Sequence, residues 1–163
     1  MPTILLLIAL LPVVPVAQVS NYVGKNALPG CASTFVVAPT ITNDMLGADI
    51  DQEDRTNAAN SLAGAVAGKL KGSEVVQPGD IAKIEGCTSV VVVVRLKGYH
   101  TEPARMGQHR GFITVQLLYF DSPKTEKPTE TKEFDASGEV HWGDSTPFAN
   151  AVTAVVKTMR KKL

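Results

Sequence analysis

Four groups able to carry positive charge crowd one short segment of this chain. In the stretch YHTEPARMGQHRG, residues 99–111, they are His100, Arg105, His109 and Arg110. Guanidinium groups grip carboxylates and phosphates through paired N–H donors, and a protonated imidazole adds charge near neutral pH. A connecting segment with this content is a candidate anion- or partner-binding loop, set against the plainer reading of a solvated hairpin. The third histidine, His141, stands beside Trp142, Asp144 and Ser145. A Ser-His-Asp triad is defined by convergence in space, and residues this close in sequence rarely converge. Asp144 and Ser145 read instead as caps of the helix that follows. The glycine-rich dinucleotide and phosphate loops, the serine nucleophile elbow and the H-E-x-x-H zinc pattern are all absent. No catalytic residues are expected, and the chain reads as a non-enzyme.

The two cysteines, Cys31 and Cys87, are not in a C-x-x-C arrangement, which argues against redox catalysis. Two thiols without a histidine pair at ligand spacing make a poor zinc site, so neither a metal nor a cofactor is expected. An even cysteine count in an exported chain favours a disulfide.

Export is indicated by the first residues. Ile4 to Ala17, ILLLIALLPVVPVA, is apolar and uncharged. It falls short of the roughly 17–25 residues of a membrane span, and Pro12 and Pro15 would break a long anchor helix. Residues 1–17 therefore read as a signal peptide, although Met1-Pro2-Thr3 lacks the usual positive charge and Pro15 is a poor residue near a cleavage point. A periplasmic or secreted location follows, with membrane attachment only if the leader is kept.

The remainder, roughly 145 residues, suits one domain with a real core. Sixteen basic and sixteen acidic residues cancel, so no global field draws the chain to nucleic acid.

The elements that must position these groups follow from periodicity. Residues 18–32 read as a linker or extended arm, and 33–163 as a single domain. Thr34 to Thr42 is rich in β-branched residues and reads as a strand; Pro39 interrupts it, which suggests an edge position or a strand that ends near Ala38. The acidic run Asp49, Asp51, Glu53 and Asp54 reads as a helix start favoured by the macrodipole. A helix is expected to run on to about Lys71, with Ala58, Ala59, Leu62, Ala65, Val66 and Leu70 on its apolar face and Gly72 as its stop. SEVVQ reads as a short strand and Pro78-Gly79-Asp80 as a turn, with a helical turn to Lys83. The five valines of SVVVVVRLKGY predict a strand buried on both faces at the centre of a sheet. GFITVQLLYFD and Thr129 to Trp142 are further strands, with a bulge or bend at Ser137-Gly138. Ser145-Thr146-Pro147 starts a last helix whose apolar stripe includes Phe148, Val152, Val155, Val156 and Met159.

The expected fold is α+β in the order β-α-β-β-β-β-α: a mixed sheet of about five strands with two amphipathic helices on one face. The first strand should have a parallel neighbour, and the later strands should form antiparallel hairpins. Cys31 and Cys87 each precede a strand. If those strands are parallel neighbours, their starts lie at disulfide distance.

The segments TFVVAPTIT, ANSLAGAVAGKLKGSEVV, SVVVVVRLKGY with GFITVQLLYFDSPKTEK, and FANAVTAVVKTM together resemble small bacterial envelope proteins. The fold of that group is similar to the N-terminal domain of TolB and the periplasmic domain of CsgG. The resemblance implies an envelope or secreted protein without shared catalytic residues. The exposed edge of a mixed sheet is a natural docking surface, so the chain is expected to be a binding or assembly module whose partner is another envelope protein or a second copy. The alternative expectation is a soluble binding module for a small anionic ligand, using the 99–111 loop.

Overall fold

Pro39 decides where the first strand stops, because it has no N–H to give to a ladder. The computed structural model describes residues 30–105, 108–138 and 146–163. The leader expected over 1–17, most of the 18–32 arm, and the segment holding His141, Trp142, Asp144 and Ser145 lie outside the described residues. β1 is Thr34–Val37, ending near Ala38 as one reading of Pro39 expected; the other reading, an edge position, does not hold, since β1 has a strand on either side of it in the sheet. The chain then turns into a short helix, α1 (Asn43–Leu46), ahead of the helix expected to follow the acidic run. Thr42 caps it, its hydroxyl oxygen accepting from the Met45 N–H at 3.4 Å. Asn43 binds the loop beyond: its amide donates to Asp49 Oδ1 at 2.8 Å, and its Oδ1 accepts from the Ile50 N–H at 3.1 Å. Asp49 therefore closes a loop, and only Glu53 and Asp54 occupy the first turn of the long helix.

That helix, α2, is Gln52–Ala67. It ends earlier than Lys71. Gly72 instead shapes the turn into β2 (Ser73–Val76), with φ of +71°. A side chain at Gly72 would bring Cβ within 2.6 Å of the Ser33 hydroxyl, which itself donates to the Gly72 carbonyl at 2.9 Å. Both the left-handed backbone and the crowding select glycine here.

A two-turn 3-10 segment, Pro78–Ile84, leads to β3 (Val90–Pro103). The hairpins β3–β4 (His109–Phe120) and β4–β5 (Glu130–Gly138) follow, and α3 (Pro147–Lys162) closes the fold. The sheet order is β2-β1-β3-β4-β5. β1 runs parallel to both β2 and β3, and the other pairings are antiparallel. The valine strand is thus the central one, with Val91, Val92 and Val94 all buried. The ladder irregularity falls at Leu96–Gly98 in β3, not at Ser137-Gly138. Gly138 serves a different purpose. It pairs with Gly111, and a side chain on either would overlap the backbone of α3 at Pro147, Asn150 and Ala151. Two facing glycines let the helix lie directly on the sheet.

Both long helices cover one face. Leu62 and Val66 of α2 and Phe148, Val152, Val155 and Met159 of α3 join the inward residues of the strands in one core. Thr146 caps α3, accepting from the Ala149 N–H at 3.1 Å, with Pro147 at its start. On the other face a smaller cluster, including Phe35, Val37, Val91 and Ile84, lies under the 3-10 segment. Cys31 and Cys87 form a disulfide there, with Cα atoms 6.0 Å apart. It joins the two positions leading into parallel neighbours β1 and β3, as the sequence predicted. No helix among the described residues is long and apolar enough to cross a membrane.

Candidate functional site

The cationic groups of 99–111 are distributed by strand alternation. β3 and β4 stay paired to the tip of their hairpin, with His100 opposite Phe112, Glu102 opposite Arg110 and Pro103 opposite His109. His100 and Arg110 therefore share the sheet face away from the helices, and His109 belongs to the other. Arg105 is exposed in the turn. His100 lies flat on the Phe112 ring, centroids 4.9 Å apart, and its Nε2 is 3.5 Å from Glu102 Oε1. A carboxylate of the same hairpin already faces the imidazole. The four groups do not form one anion pocket.

Alternation instead builds an extended polar surface. The 3-10 segment covers the β1 side of this face, and among the described residues no element covers the β3–β4–β5 side. Register places Arg95, His100 and Glu102 of β3, Arg110, Phe112, Thr114 and Gln116 of β4, and Glu133, Asp135 and Ser137 of β5 on it. Lys97 at the β3 irregularity joins them, its ammonium 2.7 Å from Glu133 Oε2. Thr114 donates to Asp135 Oδ1 at 2.6 Å. Charge is graded across the strands: β3 carries Arg95, Lys97 and His100, with Glu102 near the hairpin tip, β4 carries Arg110, and β5 carries Glu133 and Asp135. The Lys97–Glu133 pair is half exposed, at 52% and 39%, so it contributes at most about 1 kcal/mol to folding.

A second feature lies at the carboxyl ends of β1 and β2. Residues Pro39–Ile41, the first turns of α2 and Gln77–Pro78 surround a cleft of about 440 Å³. Arg55 of α2 lines it, and its Nε is shielded from solvent without a hydrogen-bond partner. This residue escaped the reading from sequence, although a signal existed: Arg55 is the only basic residue between Lys25 and Lys69.

Buried tyrosine chemistry is modest. Tyr99 packs edge-on against Phe148, with ring centroids 5.2 Å apart, and burial raises its pKa above the ordinary 10.0. Among the described residues, no three His, Cys, Asp or Glu side chains gather closely enough to hold a metal ion.

No protein-family model matches the chain, and no curated protein matches it. Solved structures do. A Xanthomonas campestris protein of the family DUF330 superposes with a TM-score of 0.51 at 11% identity, covering 80% of each chain. A lipoprotein from Neisseria meningitidis gives a TM-score of 0.44 at 16% identity, covering 80% of this chain and 99% of that one. The PelC dodecamer from Paraburkholderia phytofirmans gives 0.41 at 13%, covering 79% and 85%. At these identities the first likeness speaks to the fold alone. It is the mixed-sheet α+β fold read from the sequence.

Proposed function

We propose that this protein is an exported, non-enzymatic binding and assembly domain that uses the open β3–β4–β5 face for contact. The carrying observation is the order of charge across that face. A surface mainly basic on one side, away from Glu102 at the hairpin tip, and acidic on the other is complementary to itself after a two-fold rotation, as an isologous contact requires. The partner is accordingly a second copy, with another envelope protein of like charge order as the competing occupant. Opposed charges of this kind supply orientation and encounter rate more than affinity.

Export is the second part of the proposal. A disulfide persists in oxidising compartments, and Cys31–Cys87 supports a periplasmic or secreted setting. A likeness to the N-terminal domain of TolB and the periplasmic domain of CsgG is part of the same proposal. It rests on the order of elements. Mass spectrometry of the protein recovered from its host should show loss of residues 1–17.

Sedimentation velocity across a concentration series tests assembly. Self-association is expected, weakened by added salt and by Lys97→Glu or Glu133→Lys, and recovered in the Lys97→Glu/Glu133→Lys double variant. A monomer at every concentration would overturn self-assembly. Association indifferent to both single substitutions would remove the face from the proposal.

A further inference from the structure

The cleft beside Arg55 stands apart from the open sheet face and owes nothing to the 99–111 hairpin. It sits outside the carboxyl ends of two parallel strands joined by a helix, where open sheets with parallel strands commonly take ligands. Its volume, about 440 Å³, falls within the range of small-molecule sites.

Arg55 is the unexplained group. Its Nε is out of contact with solvent and has no hydrogen-bond partner. An arginine N–H withdrawn from water is expected to find an acceptor. Asp51, Glu53 and Asp54 are its neighbours in sequence, yet none comes within ion-pair distance of it among the described residues. Its Nε is sealed off, so the terminal N–H groups, which no ion pair or hydrogen bond of the described residues engages, are what Arg55 can present to the cleft it lines. Around it stand neutral polar side chains, Thr40, Asn60 and Gln77, with Pro39, Ile41 and Pro78 as apolar wall.

We propose that this cleft binds a small organic carboxylate, with the Arg55 guanidinium as its counter-charge. The charge count selects the class. One cation with neutral donors suits a monoanion, and the guanidinium fork matches the two oxygens of a carboxylate. A multiply charged phosphate would meet one cation and the acidic first turn of α2. The proline and isoleucine wall suits an apolar body behind the carboxylate.

The test is titration of the isotopically labelled protein with benzoate, benzamide, acetate and inorganic phosphate, followed by amide and arginine-side-chain NMR. Benzoate is expected to shift the Arg55 Nε–H resonance and the backbone amides of Thr40 and Gln77 saturably. Acetate should bind more weakly, and benzamide should leave Arg55 unmoved. Arg55→Gln should lower benzoate affinity about tenfold or more, since a charge-assisted pair is lost. Gln77→Ala, which keeps the charge, should lower it less. The proposal is overturned if benzamide shifts the same resonances as benzoate, or if folded Arg55→Gln binds benzoate unchanged. It is equally overturned if phosphate binds more tightly than benzoate.

Discussion

Glu130 is the side chain most at odds with its surroundings. It is 4% exposed at the start of β5, on the face covered by the helices, and neither carboxylate oxygen has a hydrogen bond. Lys132 Nζ lies 3.5 Å from Oε1, an ion pair too loosely aligned to be a hydrogen bond, and 5.6 Å from the Tyr119 ring centroid. Desolvating two charges costs about as much as their attraction returns, whereas removing one partner strands the other. Glu130→Leu alone should therefore destabilise by about 3 kcal/mol in urea unfolding. The low end of the range applies because the Lys132 side chain keeps 11% of its surface in water. The Glu130→Leu/Lys132→Met pair should come within about 1 kcal/mol of the parent. Tyr99 gives a pH dependence. Burial favours its neutral phenol in the folded state, so the unfolded chain loses this proton first as pH rises. Its contribution is whole below the unfolded value near 10.0 and declines above it. In thermal unfolding followed at pH from about 9 to 11, Tyr99→Phe should lose less stability than the parent.

At the scale of elements, the docking of α3 governs the hairpin half of the sheet. Its first turn rests on the facing pair Gly111 and Gly138, and Phe148 beside it is fully buried against Tyr99. Gly111→Ala or Gly138→Ala forces helix and sheet apart, at about 1–3 kcal/mol or more for an overpacked contact. The two should not add, because both act by lifting the same turn. Gly98, with open space around its Cα, is the matched control and should tolerate alanine far better. Chemical unfolding of the parent, the two single variants, their double variant and Gly98→Ala checks this. Valine runs, the Thr146-Pro147 start and the stripe of α3 were all legible in sequence, because each is a local pattern. The role of the glycine pair was not: Ser137-Gly138 looks like a bend until the helix that lies on it is in place.

For the whole molecule, the Cys31–Cys87 bridge ties the entry of β1 to the entry of β3 and holds the 3-10 segment on the second face. It closes a loop with a sequence separation of 56, worth roughly 4 kcal/mol in the chain-entropy model. Cys31→Ser/Cys87→Ser should lower stability by about that amount, and reductant should act on the parent but not on the variant. A variant as stable as the parent would refute the bridge's structural role. Sequence by itself determined the α+β class, the central valine strand, the two helices on one face and the disulfide partners. These follow from side-chain periodicity, turn chemistry and chain order. Only the tertiary structure decided which charges meet. Strand register sent His100 and His109 to opposite faces and brought Lys97 to Glu133 across a strand. The parallel pairing of β1 with β2 opened the cleft beside Arg55. Such meetings depend on contacts between residues far apart in the chain, and no local pattern records them.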